Sequence, residues 1–497
     1  MACALRVEPS NSSCRNSSLR IVVVCLPGSL SRGTACNREI ILIKTMPPLT
    51  ARQTALQILH TLETQHAYTD VVLRQVLHQS TLERRDRAFI TDCVYGVMRW
   101  QAKIDWLLGH VCRRPLQTLT PWIRNALRLG VYQCLWMERV PHRAAVHETV
   151  ELARHFGHQG TARFVNGVLR TFLRQYPTYK FPDVTISPAA HLAVVCSHPQ
   201  WLVERWLQRY GLERTQALCT ANNLPTGITL RTNTLRTTPQ ALAQRLQHEG
   251  LQHITPSRVV PEGLIVQGTD RLDMLPSYQE GLFQVQDQGA MLVARLCQAR
   301  PGQRWLDVCA APGGKATHLA QLMLDTGQIL ALDLQAGRVR LLHHNIRRLR
   351  LASVTALVAD AATAPPIRGL CDGILVDAPC SGFGVLRRQP DIKWRKTTSD
   401  LIALQAVQLK LLHTQQAWLA AHGVLVYSVC SNEPEETYEV VQCFLAAHPH
   451  MRLDAVDHEL STQPLGSSAS AGTLDVTPEQ WGTEGVFVAR FRHRDAS

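Results

Sequence analysis

Two cysteines stand directly after apolar runs of the chain, where a thiol could attack a substrate. Cys380 lies in DAPCSGFG, residues 377–384, which follows the apolar run GILV, and Asp377 precedes this thiol by three residues. Cys430 lies further on, in VLVYSVCSNEPEE, residues 424–436. A single strand-end cysteine is more often a packed core residue than a nucleophile, because free cysteines behave as small hydrophobes. Two of them near a carboxylate favour covalent catalysis by a thiolate, and the residues alone leave open which cysteine attacks.

Three aspartates at the ends of apolar runs could hold a nucleoside-bearing cofactor. Asp333 ends ILALD, Asp360 ends ALVAD and Asp377 ends ILVD, and a carboxylate in such a place can bind ribose hydroxyls. The first run, RWLDVCA, leads into CAAPGGK, where Gly313 and Gly314 let the backbone approach a ligand. The predicted cofactor-binding residues are Cys309, Ala310, Ala311, Pro312, Gly313, Gly314, Lys315, Asp333, Asp360 and Asp377.

Two alternatives to this cofactor hypothesis follow from the same residues. Each strand-end aspartate could merely cap the helix that follows it. The glycine run matches neither the dinucleotide pattern GxGxxG nor a P-loop, which disfavours a nicotinamide dehydrogenase. Three carboxylates on successive strands beside a Gly-Gly turn favour the nucleoside over simple capping.

Alternating strands and helices must position these residues. From about residue 285, the apolar runs RWLDVCA, QILALDL, VTALVAD, GILVDAPC and GVLVYSVC are separated by helical patterns. This alternation predicts βαβ units and a doubly wound parallel sheet, at whose carboxyl edge ligands bind. A flexible loop, GSSASAG at residues 466–472, precedes a final strand, GVFVARFRH.

The part of the chain before residue 285 predicts two further units. Residues 48–175 show helical periodicity throughout, as at Ala55, Ile58, Leu59 and Leu62, which predicts a bundle of six or seven helices. A further helix is predicted at residues 197–211. A small α+β unit is predicted at 226–283, with a helix that begins at 237–239 and ends at Gly250, and with strands around Val259 and 263–266.

The net charge of +13 is confined to the first third of the chain. Residues 1–180 contain 24 Lys and Arg against 11 Asp and Glu, whereas residues 181–497 contain 28 of each. This distribution favours a module that binds a polyanion, attached to a neutral unit. The alternative is an ordinary solvated basic surface.

The fifteen cysteines include no CxxC pair, and no Cys/His cluster has zinc-finger spacing. This pattern predicts a cytoplasmic protein without disulfides or a structural metal, and no run is long enough for a membrane span. Residues 1–45 are rich in Ser and Arg. They could form a transit peptide, but a disordered extension, or a true start at Met46, is favoured.

Three motifs carry a resemblance to a known family. DVCAAPGGKATHLA, DAPCSGFGVLRRQPDIKW and YSVCSNEPEE, in this order, resemble signature motifs of the RNA cytosine-C5 methyltransferases that use S-adenosylmethionine. The first third resembles a NusB-like RNA-binding domain, with FVNGVLR as its marker, and the middle unit resembles an RRM-like insert that extends through FQVQDQGAMLVA. The three-part order is similar to that of the bacterial RsmB/Sun-type enzymes, which methylate a cytosine of 16S ribosomal RNA.

The resemblance covers about residues 48–496 and implies a multidomain fold. Its parts are an all-α NusB-like bundle at 46–180, a linker helix and α+β RRM-like unit at 181–284, and a Rossmann-like methyltransferase unit at 285–497, while residues 1–45 lie outside it. It also implies S-adenosylmethionine as cofactor and 16S ribosomal RNA, free or partly assembled, as partner. We expect a monomer.

The resemblance also assigns roles to the two cysteines. In DNA cytosine methyltransferases the attacking cysteine follows a proline, as Cys380 does, but in the RNA enzymes it lies in the later motif. By this resemblance Cys430 is the nucleophile, Cys380 assists product release and Asp377 contacts cytosine N3. Lys315 could hold a carboxylate or help depress a thiol pKa, or it could only stabilise its turn.

Some positions depart from the family pattern, although none removes a reacting group. Val429 stands where a Thr is usual, Glu436 and Thr437 replace a Glu-Asn pair, and Gln389 replaces a His. The rival functions are methylation of tRNA and a non-catalytic RNA-binding or assembly factor.

Basic residues in two places are predicted to contact RNA. After Cys380, Arg387, Arg388 and Lys393 are expected to hold the target strand, while Trp394 either stacks on a base or anchors its loop. The helical part offers candidates for a patch that binds the duplex backbone: Arg84, Arg85, Arg87, Arg113, Arg114, Arg163 and Arg170.

Overall fold

The computed structural model describes residues 49–80, 82–267, 271–365, 367–455 and 472–494. The predictions for residues 1–45 and for most of the GSSASAG loop lie outside these ranges. Within them the chain forms an all-α unit, a small α+β unit and an α/β unit, which confirms the predicted fold class. None of the described helices is both long enough and apolar enough to cross a membrane.

The all-α unit contains six α-helices. They are α1 (Ala51–Gln65), α2 (Thr69–Gln79), α3 (Arg84–Gly109), α4 (Pro121–Trp136), α5 (His142–His155) and α6 (Gln159–Gln175). α1 begins with a capping box, in which the Thr50 hydroxyl accepts the Gln53 amide and the Gln53 side chain accepts the Thr50 amide. The stripe predicted in α1 is buried in one apolar core shared by these helices.

Two helices lead from the bundle to the next unit. They are α7 (Pro188–Val195) and α8 (Gln200–Asn223). The prediction that the second helix ends at Gly211 is wrong, because the helix kinks there, with φ of 73°, and continues to Asn223. Glycine adopts this positive φ without steric cost, so it marks a bend rather than an end.

The small α+β unit has an antiparallel sheet in the order β2-β3-β1-β4. Its elements are β1 (Ile228–Thr232), α9 (Pro239–His248), β2 (His253–Pro256), β3 (Gly263–Gln267), α10 (Pro276–Gln279) and β4 (Phe283–Val285). Thr238 caps α9 as the sequence predicts. Val259 is buried in the turn between β2 and β3, so the strand expected around it instead precedes it.

As far as residues 285–494 are described, the α/β unit is built on an eight-stranded sheet with apolar layers on both faces. Its strands are β5 (Arg304–Asp307), β6 (Gln328–Asp333), β7 (Val354–Val358), β8 (Cys371–Asp377), β9 (Leu419–Val429), β10 (Met451–Leu453), β11 (Thr473–Val476) and β12 (Val486–His493). Its helices are α11 (Gln288–Leu296), α12 (Gly314–Leu322), α13 (Ala336–Leu349), α14 (Thr398–Gln415), α15 (Tyr438–Ala447) and α16 (Pro478–Trp481).

The order of this sheet is β10-β12-β9-β8-β5-β6-β7, with β11 paired to β12. The five strands from β9 to β7 are parallel, as predicted, but β12 pairs antiparallel with β9. The sheet is therefore mixed rather than wholly parallel, a common arrangement when an antiparallel edge extends a doubly wound sheet.

Candidate active site

Four neighbouring parallel strands end at one edge of the sheet, and their last residues form the centre of the site. β6, β5, β8 and β9 lie side by side, so the carboxyl ends that carry Asp333, Asp307, Asp377 and Cys430 come together. Asp377 and Ser428 are partners in the register of β8 with β9. The sequence alternation therefore does place the predicted acidic residues and the second cysteine at a common edge.

Asp377 is bound on both of its carboxylate oxygens. The Lys315 ammonium donates to Oδ2 at 2.6 Å, and the Ser428 hydroxyl donates to Oδ1 at 2.8 Å. Burial lowers the pKa of Lys315, but the ion pair with Asp377, together with smaller contributions from Cys430 and Asp307, raises that pKa above its usual value. Lys315 is therefore an ammonium ion that lies across the gap between the cofactor loop and β8.

The two candidate cysteines are in direct contact. Their sulfur atoms lie 3.0 Å apart, and the Gly384 amide, from the Cys380 loop, donates to the Cys430 carbonyl at 2.9 Å. Contact with the Cys430 sulfur, together with burial, raises the pKa of Cys380 well above its usual value. Cys380 is therefore a thiol at neutral pH, and its proton can be directed at the sulfur of Cys430.

Glu436 holds the two cysteine loops together and was not predicted to do so. This buried carboxylate accepts the Ser381 amide at 2.7 Å and the Ser381 hydroxyl at 2.5 Å. The Ser381 hydroxyl in turn lies 3.1 Å from that of Ser431, the residue after the second cysteine. The available signal was the acidic run in SNEPEE directly after Cys430, where Glu436 was noted only as a departure from the family pattern.

Asp307 is a further acidic residue that the sequence analysis missed. It is fully buried at the end of β5, and neither carboxyl oxygen has a partner in hydrogen-bond geometry, although the Cys309 amide lies near enough to favour ionisation. Burial and the Asp377 charge raise the pKa of Asp307 to about 8. The available signal was its place at the end of the apolar run RWLD, because Asp333 and Asp377 end the neighbouring strands in the same way.

The predicted cofactor loop, residues 309–315, joins β5 to α12. Gly313 has φ of 101°, a conformation that side chains other than glycine rarely adopt. Asp333 is buried and accepts the Ala311 amide at 3.3 Å and the Gln335 amide at 3.0 Å, so it also stabilises the loop. Asp360, exposed two residues beyond β7, accepts the Ala362 amide at 2.9 Å. Both carboxylates therefore accept backbone amides of nearby loops, but neither caps a helix, because α13 has no side-chain cap and no described helix lies between β7 and β8.

Three of the four residues predicted to contact RNA after Cys380 pack inside the protein instead. Lys393 is 1% exposed and its ammonium donates to the Arg99 carbonyl at 3.0 Å. The Trp394 indole donates to the Met98 carbonyl at 2.6 Å, and the guanidinium of buried Arg387 donates to the Gly482 carbonyl at 2.7 Å. For Trp394, the loop-anchoring alternative is the one that the structure shows.

The fourth residue, Arg388, is half-buried in an acidic environment. It forms ion pairs with Asp287 at 3.0 Å and with Glu484 at 3.1 Å. The basic run after Cys380 thus packs against other parts of the protein, because its partners are supplied by the helical unit and by the carboxyl-terminal segment. The local sequence of this basic run does not indicate that its side chains pack against distant parts of the protein.

The arginines of the helical unit fall into separate surface regions. Arg113, Arg114 and Arg163 line a groove of about 720 Å³ beside the amino-terminal ends of α4 and α6. Arg84 and Arg87 line a second groove of about 510 Å³, which the α+β unit completes with His253 and Arg271. Neither groove includes Arg85 or Arg170. Among the described residues, no cluster of three His, Cys, Asp or Glu side chains could hold a metal.

Comparison with known proteins gives the same three-part division. The family described as "16S rRNA methyltransferase RsmB/F" matches residues 294–492, the NusB family matches 49–174, and the ferredoxin-like domain of RsmF/B-like methyltransferases matches 198–272.

Relatives are similar over nearly their whole length. The probable ribosomal RNA small subunit methyltransferase B of Bacillus subtilis is 34% identical over 90% of this chain and 100% of its own length. The ribosomal RNA small subunit methyltransferase B of Pseudomonas putida is 32% identical over 82% and 91%. The crystal structure of PH0851 has a TM-score of 0.75 at 25% identity and covers 89% of this chain and 99% of its own. The chain therefore belongs to the RsmB/F family of 16S rRNA methyltransferases.

Proposed function

We propose that this protein methylates C5 of a cytosine in 16S ribosomal RNA, with S-adenosylmethionine as methyl donor and Cys430 as a transient nucleophile. The observation that carries the proposal is the 3.0 Å contact between the Cys380 and Cys430 sulfurs, beside the ion pair of Lys315 with Asp377. Two thiols, one able to attack and one able to exchange a proton, are what covalent addition and release require. The names of the relatives support small-subunit ribosomal RNA as substrate.

The residues at the sheet edge fit S-adenosylmethionine. Gly313, with φ of 101°, gives the cofactor loop a turn that other residues rarely adopt, and the carboxylates of Asp333 and Asp377 at the same sheet edge complement a ligand that carries a sulfonium and an ammonium group. We assign the ribose hydroxyls to Asp333, at the end of β6, and the nucleoside beyond them to Asp360. When bound there, S-adenosylmethionine supplies the methyl group that C5 receives.

The protein's own groups carry the remaining chemistry. Cytosine C5 becomes nucleophilic when a thiolate adds to C6, because the addition turns the ring into an enamine. Cys430 supplies the thiolate, which interacts with the Lys315 charge. N3 takes up a proton from solvent as the adduct forms, and the Asp377 carboxylate accepts a hydrogen bond from that N3–H. Once C5 is methylated, loss of its proton and departure of the Cys430 sulfur restore the aromatic ring. In this release step the Cys380 thiol donates its proton to the departing Cys430 sulfur, the resulting Cys380 thiolate accepts the C5 proton, and N3 returns its proton to solvent.

Covalent trapping on RNA tests the two cysteine roles. The Cys380→Ala variant should accumulate an RNA adduct that survives denaturing electrophoresis, because release fails after addition. Cys430→Ala should form no adduct, and Cys443→Ala, which replaces an exposed cysteine, should behave as the wild type. Adducts in equal amounts from the Cys380 and Cys430 variants would contradict the assignment.

Bisulfite sequencing separates the proposal from its rivals. In cells that lack the protein, one cytosine of 16S ribosomal RNA should lose its protection from deamination while tRNA cytosines keep theirs. Loss at a tRNA position instead would move the substrate to tRNA. Unchanged methylation in both RNAs would favour a non-catalytic assembly factor, which has no need of Asp377, Cys380 and Cys430 together.

The helical unit supplies the surface for the rest of the RNA in this proposal. The groove lined by Arg113, Arg114 and Arg163 combines three cations with the amino-terminal ends of two helices, where backbone amides favour phosphate. The substrate is ribosomal RNA, so we place the protein in the cytoplasm.

A further inference from the structure

Helix α3 is interrupted at Trp100, in the middle of its 26 residues. The backbone of Trp100 has φ of −105° and ψ of 15°, outside the helical region. In a regular helix, the Met98 carbonyl would pair with the Ala102 amide and the Arg99 carbonyl with the Lys103 amide. Both pairs extend across Trp100. The kink separates them, so the two carbonyls and the two amides can form hydrogen bonds with partners outside α3.

Each of these four backbone groups has a partner outside α3. The Ser197 hydroxyl accepts the Ala102 amide at 2.9 Å and the Lys103 amide at 3.5 Å. On the carbonyl side, the Trp394 indole donates to Met98 at 2.6 Å and the Lys393 ammonium donates to Arg99 at 3.0 Å. The catalytic unit therefore contacts one side of the interruption, and the segment between α7 and α8 contacts the other.

The segment that contacts α3 continues directly from the Cys380 loop. Between Cys380 and Lys393, the Arg387 carbonyl accepts the Arg99 guanidinium at 2.9 Å, and the Asp391 carboxylate accepts the Thr69 amide at 3.3 Å. The same segment reaches Cys430 through the Gly384 amide, which donates to its carbonyl at 2.9 Å. One short stretch of chain is thus attached to the attacking residue at one end and to the helical unit at the other.

Stability alone does not explain a lysine at this position. Lys393 is almost fully buried, and burial lowers its pKa to about 7. Its two hydrogen bonds, to Arg99 and to Asn223, must offset the free energy that removing this amine or ammonium group from water costs. Apolar side chains of similar size often stabilise a protein as well as buried charges do. What the amine and indole donors add is direction, because they fix the loop to two particular carbonyls.

We propose that Lys393 and Trp394 are positioning residues, which use the interruption in α3 to hold the Cys380 loop against Cys430. The helical unit then sets the rate of methyl transfer in addition to binding RNA. This inference rests on the proposed roles of the two cysteines.

Two variants that remove one donor each test the proposal in the full-length protein. Trp394→Phe removes the indole donor, and Lys393→Met removes the ammonium group but keeps an unbranched side chain. With RNA and S-adenosylmethionine saturating, we expect the single-turnover rate of methyl transfer to fall by roughly tenfold, because small displacements of reacting groups are costly. The dissociation constant for RNA should change by less than about twofold, because the altered side chains are buried away from the surface.

Ser197→Ala is the matched control. It removes the acceptor for the amides of Ala102 and Lys103, on the other side of the same interruption, and changes no contact with the catalytic unit. We expect it to lower the melting temperature about as much as Trp394→Phe does, while the single-turnover rate stays at the wild-type value.

The outcomes separate this inference from the proposed mechanism. Wild-type rates in both Lys393→Met and Trp394→Phe would overturn the positioning role, as would an equal loss of rate in Ser197→Ala. Failure of Cys380→Ala to trap RNA would instead overturn the cysteine roles. If Lys393→Met does not fold, Trp394→Phe, which retains the charge of Lys393, decides the question.

Discussion

Individual side chains at the strand ends determine which groups of the site carry charge. Lys315 keeps its proton because Asp377, with smaller contributions from Cys430 and Asp307, raises its pKa against the lowering effect of burial. Cys380 keeps its proton because the Cys430 sulfur and burial raise its pKa. A positive charge is therefore fixed beside Asp377 and Cys430, where the proposed mechanism needs a carboxylate and a thiolate.

Asp307 makes the stability of the protein depend on pH. Its pKa is about 8 in the folded protein, against an ordinary value of 3.8, because burial and Asp377 disfavour the charged form. Between these two pH values the unfolded chain releases a proton that the folded chain keeps, so the free energy of unfolding falls as pH rises. Between about pH 4 and pH 8, the free energy of unfolding of the wild type should therefore fall by on the order of a few kcal/mol more than that of Asp307→Asn.

Urea denaturation at several pH values measures this difference. Asp360→Asn, which replaces an exposed strand-end carboxylate, should follow the wild-type curve. If the free energy of unfolding varies with pH in the same way for the wild type and Asp307→Asn, Asp307 ionises alike in the folded and unfolded states, which would contradict the prediction.

At the scale of elements, the α+β unit holds the helix that follows the cofactor loop. Buried Arg231, in β1, donates to the Gly314 carbonyl at 2.5 Å and to the Thr317 hydroxyl at 2.9 Å. The imidazole of His318 lies 2.8 Å from the Glu262 carboxylate, and the side-chain amide of Gln321 donates to the Thr232 carbonyl at 3.1 Å. The small unit therefore helps fix the shape of the loop at the start of α12.

Two adjacent glycines of this loop should differ in their tolerance of a side chain. At Gly313, with φ of 101°, a Cβ would be strained and would collide with Leu342, so Gly313→Ala should lower the free energy of unfolding by about 1–3 kcal/mol. Gly314→Ala is the control, because its Cβ would meet Gln286 at 3.4 Å, an ordinary contact, at the first position of a helix. Thermal unfolding of the two variants measures the difference, and equal losses would contradict it.

At the scale of the whole molecule, the active site depends on every unit. The α/β unit supplies the strand ends, the α+β unit holds α12, and the helical unit contacts the Cys380 loop through α3. The loop after Cys430 is also held from outside the catalytic unit, since Glu433 accepts the Trp206 indole of α8 at 2.8 Å. The units therefore form one structure around the site.

Salt dependence of RNA binding tests which arginines contact phosphate. Arg163→Gln, in the groove beside α4 and α6, should weaken binding and reduce the slope of log K against log salt by about 1, as expected for one lost phosphate contact. Arg170→Gln, an equal change of charge at an exposed position outside both grooves, should leave the slope unchanged. Equal effects of the two substitutions would indicate a diffuse field instead of a phosphate site.

Features encoded in short stretches of chain could be predicted from the sequence. The stripe Ala55, Ile58, Leu59 and Leu62 predicts its buried helix face, because helical periodicity places these side chains together whatever they pack against. Strand–helix alternation likewise predicts that Asp333, Asp377 and Cys430 share a sheet edge. The same rule applies to Asp307, which ends RWLD, although Asp307 was not among the predicted residues.

Features that depend on distant partners were decided only by the tertiary structure. Lys393 and Trp394 belong to a basic run that is typical of a nucleic-acid contact, but their partners lie 294 and 296 residues away along the chain. The role of Glu436 depends in the same way on Ser381, which lies in the other cysteine loop. Periodicity and strand ends are local properties, so the sequence alone determined the units and the edge that carries the chemistry. Burial and hydrogen-bond partners depend on which surfaces meet, so only the packed molecule decided which charged residues face solvent and which hold the site in place.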